Sequence, residues 1–195
     1  MTKPFSCMPF LSGKDVYLRP LVSSDAEGAY VSWFNDEEVC AGNSHHVFPY
    51  NPDAALSYIR YAGETKDSVI LAVVLVKGDQ HIGNIALTSI HPVNRTAEFS
   101  IVIGDKAAWG KGYGKEAARL LCDHGFYSLN LHRIQCGTFE NNEGMQRLAA
   151  YLGMKEEGVR REAVFKNGRY LNVIEYGVLR SEYTSLWPRE DQAGK

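Results

Sequence analysis

The chain has 195 residues, of which 45% are apolar and 23% charged, and its formal net charge is −2 at neutral pH. This length and apolar content suit a single domain with an ordinary hydrophobic core. The charge provides no basic stripe for a nucleic-acid backbone, and the longest apolar run, Val69–Val76, is too short to cross a bilayer, so we expect neither a nucleic-acid partner nor a membrane.

The cysteines and the amino terminus favour a reducing compartment. Cys7, Cys40, Cys122 and Cys136 share no CxxC spacing, which argues against a disulfide framework or a zinc site. The first residues lack the continuous apolar segment of a signal peptide. The sequence therefore predicts a cytoplasmic protein.

The first half of the chain predicts two helices followed by a β-hairpin. Ser24–Glu27 is typical of a capping box at a helix start. Pro52 directly after Asn51 favours a second helix start, since proline is well tolerated at the first helical position. The elements predicted here are a helix to about Phe34, a helix over Ala54–Tyr61, strands over Val69–Val76 and Ile82–Ile90, and a turn at Lys77–Asp79.

The second half predicts strands and helices in alternation. Arg95–Ile103 alternates apolar with polar residues, which is the period of a half-buried strand. Apolar residues from Ala118 to Leu129 recur at helical spacing. The remaining predictions are a strand over Arg133–Thr138, a helix over Glu143–Leu152 and a hairpin across Asn167–Gly168.

The stretch Trp109–Lys115 lies between the predicted strand and the long helix, and it carries glycine at alternate positions. Glycines let the backbone approach a ligand closely, and the unpaired N–H groups of a helix start favour an anion such as pyrophosphate. The Walker phosphate loop does not fit, because Glu116 stands after Lys115 where Ser or Thr is required. The dinucleotide pattern Gly-x-Gly-x-x-Gly does not fit either.

This stretch resembles the acyl-CoA pyrophosphate loop of the GNAT superfamily of N-acetyltransferases, whose pattern is Gln/Arg-x-x-Gly-x-Gly/Ala. Gly112 and Gly114 occupy the glycine positions. Trp109 stands where Gln or Arg is usual, as in the branch that contains the RimJ and RimL acetyltransferases. Further landmarks similar to that branch follow in order over most of the chain: Val16–Leu21, Trp33–Val39, Leu131–Ile134, Asn142–Met154 and Phe165–Tyr170.

The resemblance implies the architecture and the co-substrate. It implies an α/β (α+β) fold over residues 1–183, with a mixed, mostly antiparallel sheet of about seven strands flanked by about four helices, and a flexible tail over residues 184–195. It implies acetyl-CoA as co-substrate and no metal. The residues that it assigns to the cofactor are Ile101, Val102, Ile103, Trp109, Gly110, Lys111, Gly112, Tyr113, Gly114, Lys115 and Asn142.

Several of these residues have a simpler alternative role. Asn142 is equally suited to cap the helix that follows it. Lys111 and Lys115 could be solvated surface residues, so their backbone N–H groups are the stronger candidates. The resemblance also implies that the Arg95–Ile103 strand is distorted, parts from the next strand and lends its main chain to the pantetheine arm.

Glu98 is the candidate general base, because it lies in mid-strand, faces opposite to Phe99, and matches the glutamate proposed as base in the RimJ/RimL branch. The alternative is a structural ion pair with Arg95 or Arg133. Many superfamily members carry a tyrosine as general acid where this chain has Ala149. Tyr151 is two positions on, about 200° around a helix, and is expected to point elsewhere, as a surface or a packing residue.

The candidates for the acceptor pocket lie between the first two predicted helices. They are Asn35, Asp36, His45 and Phe48. The carboxylates of this region would attract a cationic amine, although such a cluster is often a solvated face, and the aromatic residues could equally be packing. The His45–His46 pair has no third ligand at suitable spacing for a metal.

The predicted function is therefore transfer of an acetyl group from acetyl-CoA to a primary amine, by direct attack in a ternary complex. The acceptor is a protein N-terminal α-amine, an amino sugar or a small-molecule amine. The alternative is a non-catalytic acyl-CoA-binding sensor or interaction domain. Dimers occur in the RimJ/RimL branch, so the resemblance allows a homodimer, with the strand around Leu171–Leu179 as a candidate edge, but no feature of the sequence fixes the oligomeric state.

Overall fold

The computed structural model describes residues 8–185. Most of the flexible tail predicted for residues 184–195 lies outside the described residues, since the description ends at residue 185. Cys7 lies outside them as well. The strands are β1 (Leu11–Ser12), β2 (Val16–Pro20), β3 (Val69–Leu75), β4 (His81–His91), β5 (Thr96–Ile103), β6 (Arg133–Phe139), β7 (Lys155–Lys166) and β8 (Arg169–Leu179). The helices are α1 (Tyr30–Trp33), α2 (Pro52–Glu64), α3 (Tyr113–Tyr127) and α4 (Glu143–Tyr151), with short 3-10 helices at Ser23–Glu27 and Lys106–Ala108.

The strands of the described residues form one sheet of eight, in the order β1-β2-β3-β4-β5-β6-β8-β7. All neighbours are antiparallel except β5 and β6. The predicted mixed, mostly antiparallel sheet is confirmed, with one strand more than expected, because the two-residue β1 has too few residues to show a period. The strand around Leu171–Leu179 is not an edge, since β8 lies between β6 and β7.

Alternation of side chains along the strands separates two hydrophobic cores, one on each face of the sheet. Phe99 and Ile134 point to the face covered by α3 and α4, where Leu121 and Ala149 pack. On the opposite face, strand residues pack against α1, α2 and the 3-10 helix before them. The helical cover on this second face does not extend over β6 and β8, because Gln135 and Gly137 are exposed there.

The sheet opens between its two parallel strands. β5 pairs with β6 only from Thr96 to Glu98, whereas its pairing with β4 continues to Ile103. We call the resulting gap between β5 and β6 the fork. The expected parting of strands is thus present, but the irregularity of pairing lies in β4, where Ser89 has φ of +51° and the register shifts between Thr88 and His91.

The first predicted helix is broken in the structure. A 3-10 helix over Ser23–Glu27 and the short α1 replace it, and the predicted capping box is wrong by register. Asp25 reaches back to accept a hydrogen bond from the Val22 N–H at 2.8 Å. α2 begins at Pro52 as predicted, with the Asn51 side chain accepting from the Ala54 N–H.

A buried ion pair fixes this 3-10 helix to the sheet. The Arg19 guanidinium donates to both carboxylate oxygens of Asp25, at 2.7 and 2.8 Å, and Nδ1 of His81 lies 3.2 Å from Oδ1. Burial by itself would raise the pKa of Asp25, but these partners and the Val22 N–H hold it well below its ordinary value. A carboxyl with a depressed pKa adds stability above the unfolded-state pKa and loses it as the pH falls below about 4.

Replacing Asp25→Asn should lower the free energy of unfolding by about 3 kcal/mol at pH 7, because the buried Arg19 loses the charge of Asp25. Urea unfolding at pH 7 and at lower pH measures this. The difference from the native chain should shrink as the pH falls below about 4, because Asp25 then becomes protonated in the unfolded chain while it stays ionised in the folded one. Glu27→Gln, at an exposed position in the same turn, is the matched control. An Asp25→Asn difference that is constant with pH would contradict the assigned ion pair.

Candidate active site

The start of α3 is built as an anion cradle. Gly110 and Gly112 have φ of +72° and +86°, and Gly112 is the N-cap residue without a side-chain cap. The backbone N–H groups of Lys115 and Glu116 bond the Gly112 carbonyl, which leaves the Tyr113 and Gly114 N–H groups pointing out of the helix start. A Cβ placed on Gly110 or Gly112 would meet no described atom within 4 Å, so the space beside these N–H groups is open to an anion.

Glu116, in the first turn of α3, has a role that sequence reasoning missed. Its carboxylate accepts hydrogen bonds from the backbone N–H groups of Lys14 and Asp15, in the turn between β1 and β2. A Cβ on Gly13 would collide with this carboxylate, so the turn approaches closely. The negative charge of Glu116 is therefore engaged away from the anion cradle, and it fixes the helix start to the edge of the sheet.

Trp109 closes the connection between β5 and α3. Its indole Nε1 donates to the Ile103 carbonyl at 2.7 Å, and the side chain stays 40% exposed. Of the other predicted loop residues, Lys111 is exposed and Tyr113 packs partly on the first core. Lys115 lies over the ring of Tyr151, with Nζ 4.9 Å from the centroid, so of its two predicted roles Tyr151 has the packing one.

The strand register decides which backbone groups of β5 face the fork. The Gly104 N–H donates to the Ile82 carbonyl at 2.9 Å, and from that pair the hydrogen-bonding groups alternate in direction. The groups of Val102 therefore point to β4, whereas those of Ile101 and Ile103 point to the side that β6 leaves. Prediction of a pantetheine contact by the Val102 backbone does not agree with this register.

Glu98 lies at the point where the strands part. It is the last β5 residue that pairs with β6, and its side chain is exposed on the face opposite to Phe99. The alternative of an ion pair with Arg133 does not hold, because Arg133 binds Glu157 instead. Within residues 8–185, Glu98 forms no ion pair with any cation.

The region between α1 and α2, residues 35–50, contains the predicted acceptor residues, and we call it the acceptor-side segment. Asn35 bonds the backbone of Tyr50 in both directions, at 2.6 and 2.8 Å. The His45 ring packs on Phe34 at 4.4 Å between centroids, and desolvation and then the charge of Lys166 lower its pKa. These two residues shape the segment, while Phe48 is 81% exposed.

The carboxylates at the start of the acceptor-side segment bind a lysine that follows β5. Lys106 Nζ lies 2.7 Å from Asp36 Oδ2 and 3.0 Å from Glu38 Oε2. The hydrogen bond from Lys106 is the main cause that lowers the pKa of Asp36, and hydrogen bonds from backbone N–H groups lower it further. Asp36, Glu37, Glu38, Ala41 and Asn167 line an open cavity of about 590 Å³.

The helix α4 begins beside the open end of the fork. Asn142 caps it, with Oδ1 accepting from the Met145 N–H at 3.0 Å, so the alternative role predicted for this residue is present. Ala149 is fully buried in the first core, where a tyrosine acid would otherwise stand. Among residues 8–185, no three His, Cys, Asp or Glu side chains lie together as metal ligands. In the same part of the chain, no helix has the length and apolar character needed to cross a membrane.

Comparisons with known proteins agree with this geometry. The model of the acetyltransferase (GNAT) domain family matches residues 15–155. The spermidine N(1)-acetyltransferase of Escherichia coli K12 is 30% identical over 174 residues, which cover 88% of this chain and 90% of that protein. The Bacillus licheniformis protein p20, named an uncharacterized N-acetyltransferase, is 32% identical over 112 residues, or 57% of this chain and 62% of p20.

A solved structure extends the similarity to the fold. The crystal structure of the spermidine N-acetyltransferase of Vibrio cholerae in complex with CoA and spermine superposes with a TM-score of 0.77 at 26% identity, covering 87% of this chain and 98% of that one. Fold and fork together define an α/β domain that binds an acyl-CoA. The chain belongs to the GNAT acetyltransferase family.

Family membership confirms the predicted class and co-substrate. The chain is an acetyl-CoA-dependent N-acetyltransferase, and its relatives carry that activity in their names. The alternative of a non-catalytic acyl-CoA sensor is not supported by these relatives. Assignment to the RimJ/RimL branch is compatible with the match, which covers the family as a whole.

Gly112→Val should abolish most affinity for CoA and leave the fold intact, since the new side chain projects into the anion cradle and its Cβ meets no described atom within 4 Å. Titration calorimetry with CoA measures this. Gly78→Val is the matched control, because Gly78 has φ of +95° and equally open surroundings in the β3–β4 turn. Both variants should lose similar stability from the left-handed backbone, and undiminished CoA affinity in Gly112→Val would contradict the assigned loop.

Trp109→Phe should weaken CoA binding about fivefold, because the Ile103 carbonyl loses a hydrogen bond worth about 1 kcal/mol that orders the connection before α3. The phenyl ring keeps most of the apolar surface, so thermal unfolding should change little. Calorimetry with CoA and a thermal scan measure the two effects. A dissociation constant equal to that of the native chain would show that this hydrogen bond does not shape the loop.

Proposed function

We propose that the protein acetylates a small, positively charged primary amine, which attacks the bound acetyl group directly at the fork, with Glu98 as the general base. The observation that carries this proposal is the position of Glu98: an exposed carboxylate, free of ion pairs in the described residues, at the last residue shared by β4, β5 and β6. A carboxylate there lies beside the gap that the outward main-chain groups of β5 face.

The residues that would hold acetyl-CoA lie on the α3 side of the fork. The N–H groups at Tyr113 and Gly114 would bind the pyrophosphate, and the main chain of Ile101 and Ile103 would bind the pantetheine arm. When bound, acetyl-CoA supplies an activated thioester carbonyl. The cradle, the parted strands and the open space at Gly112 support this placement.

The base is needed because the acceptor must be neutral when it attacks. An alkylamine of pKa about 10.4 is some 3.4 units from neutral at pH 7, which corresponds to about 4.6 kcal/mol, whereas an α-amine of pKa about 7.7 is less than one unit away. Glu98 would accept the proton from the ammonium group of the acceptor as the nitrogen approaches the carbonyl carbon. General-base catalysis of this kind contributes about 100-fold or more.

No further side chain is needed to stabilise the negative charge that develops on the carbonyl oxygen and on the leaving sulfur. The Ile101 N–H, beyond the last β5–β6 pair, would donate to the oxygen. With Ala149 where a tyrosine acid is usual, the thiol leaves as thiolate; at a pKa near 8.5 this costs about 2 kcal/mol at pH 7. The nitrogen of the tetrahedral intermediate loses its second proton as the sulfur leaves, and water carries this proton to the thiolate, which gives the acetylated amine and the CoA thiol.

The acceptor class follows from charge on the acceptor side. Asp36, Glu37 and Glu38 line the open cavity of the acceptor-side segment, and carboxylates there would attract a cation. Relatives named as spermidine acetyltransferases support an amine of this class. N-terminal peptides and amino sugars are the competing acceptors in the test below. The homodimer and the cytoplasmic location stay predictions from the sequence.

Glu98→Gln should reduce kcat about 100-fold at pH 7 for an alkylamine acceptor and leave the CoA dissociation constant unchanged. The measurement is CoA thiol release from acetyl-CoA with a panel of diamines, amino sugars and N-terminal peptides. The defect should be smaller for α-amines, and it should shrink as the pH approaches the pKa of the acceptor, because less proton removal is then required.

Glu175→Gln is the matched control, since this carboxylate lies on the open face of β8 but binds Arg160. It should retain nearly full activity. Unchanged kcat in Glu98→Gln would remove Glu98 as the base without affecting the family assignment. Faster turnover of N-terminal peptides than of diamines would replace the proposed acceptor class.

A further inference from the structure

Two side chains lie beside Glu98 in register, on the same face of the sheet. Thr88 of β4 and Gln135 of β6 are its cross-strand partners. The Thr88 hydroxyl donates to the main-chain carbonyl of Glu98, at 3.5 Å, and so leaves the carboxylate to other donors. Neighbouring strands are about 4.8 Å apart, which puts the side chain of Gln135 within reach of the Glu98 carboxylate.

The amide of Gln135 is held in one orientation by Arg133, two residues earlier on β6. Nε of Arg133 donates to this amide at 3.0 Å. A guanidinium nitrogen donates and does not accept, so the amide atom that it bonds is the oxygen Oε1. Both hydrogens of Nε2 therefore point away from Arg133, and within residues 8–185 they have no hydrogen-bond partner.

The side on which Arg133 lies decides where the Nε2 group of Gln135 points. The guanidinium lies across Gly177 of β8, since a Cβ placed there would be 2.5 Å from its Nη2 atom and 2.7 Å from Nη1. Gly177 is the β8 partner of Gln135, and β8 and β5 border β6 on opposite sides. Because Oε1 is turned to the β8 side, Nε2 faces β5 and with it Glu98.

The arginine is in turn fixed from the edge strand. Its guanidinium donates two hydrogen bonds to the carboxylate of Glu157 on β7, one of them at 2.6 Å. Glu157 lies in a bulge of β7, where the pairing with β8 shifts, and a bulge re-aims a side chain. A bidentate pair fixes both the distance and the plane of the guanidinium. The contacts therefore run from β7 across β8 to Gln135 on β6, and they end beside Glu98.

We propose that Gln135 is a positioning residue for the base: its Nε2 group, oriented by Arg133, holds the Glu98 carboxylate over the fork, where the amine arrives. This inference rests on the proposed function, because it takes Glu98 as the base. An exposed glutamate has several accessible rotamers, and a hydrogen bond from a fixed donor selects one of them. A cation in this place would compete with the proton for the carboxylate, whereas a neutral amide only orients it.

Gln135→Met removes both polar groups of the amide at nearly constant length and at an exposed position, so the fold should stay intact. The variant should lose about tenfold in kcat for an alkylamine acceptor, the equivalent of one hydrogen bond to a charged group. KM for the amine and the CoA dissociation constant should stay within twofold of the native values. Arg133→Lys keeps a cation for Glu157 but removes the Nε donor, and it should lower kcat about threefold.

A double-mutant cycle separates positioning of the base from other roles of Gln135. In the Glu98→Gln background, Gln135→Met should change kcat less than about twofold, because no base remains to be oriented. Arg160→Met is the matched control, since this exposed arginine pairs with Glu175 on the same face, and it should keep the native kcat. A tenfold loss that persists without Glu98, or a loss confined to the amine KM, would overturn the proposal and assign Gln135 to the acceptor.

The NMR signals of the Gln135 side-chain amide report the contact without turnover. Its Nε2 protons should shift when Glu98→Ala removes the carboxylate, and they should not shift in Arg160→Met. If Glu98→Gln keeps the native kcat, the proposed base fails and the positioning role fails with it. If Glu98→Gln is impaired but Gln135→Met has the native kcat, or if the amide protons do not respond to Glu98→Ala, only the role of Gln135 is overturned.

Discussion

The end of the β5–β6 ladder at Glu98 is the constraint on which the rest of the structure depends. Beyond that residue β5 keeps its antiparallel neighbour and loses its parallel one, so its outward N–H and C=O groups need other partners. Unpaired main-chain groups within a sheet are costly unless water or a ligand bonds them. The gap therefore leaves polar main-chain groups and an opening in the sheet at one place, and the proposed function puts the acyl donor and the acceptor there.

The two sides of the fork have opposite electrostatic character. On one side, the start of α3 presents backbone N–H groups with the positive end of the helix dipole, and Glu116 turns its charge to the β1–β2 turn. On the other, the acceptor-side segment carries carboxylates beside its cavity. Under the proposed function, anionic CoA and a cationic amine would therefore approach from different sides and meet where the strands part.

Irregular segments around the fork are held by polar side chains rather than by ladders. Trp109 binds the Ile103 carbonyl, Lys106 bridges two carboxylates, and Asn142 reaches Gly42. Each link fixes an irregular stretch of chain to a neighbouring element. Exposed ion pairs such as those of Lys106 contribute little to the free energy of unfolding, so their main effect is to fix the position of the acceptor-side segment.

The sequence by itself determined the periods of the strands, the start of α2, the glycine loop and, through its ordered landmarks, the family and the acyl donor. These features are local, because alternation, capping and positive φ are set by neighbouring residues. Only the tertiary structure decided that Arg133 binds Glu157, so that Glu98 has no cationic partner within residues 8–185, and that β7 rather than β8 forms the edge. It also brought Asn142 to Gly42, 100 positions away. Such contacts depend on which side chains meet when distant elements pack, and no local pattern carries that information.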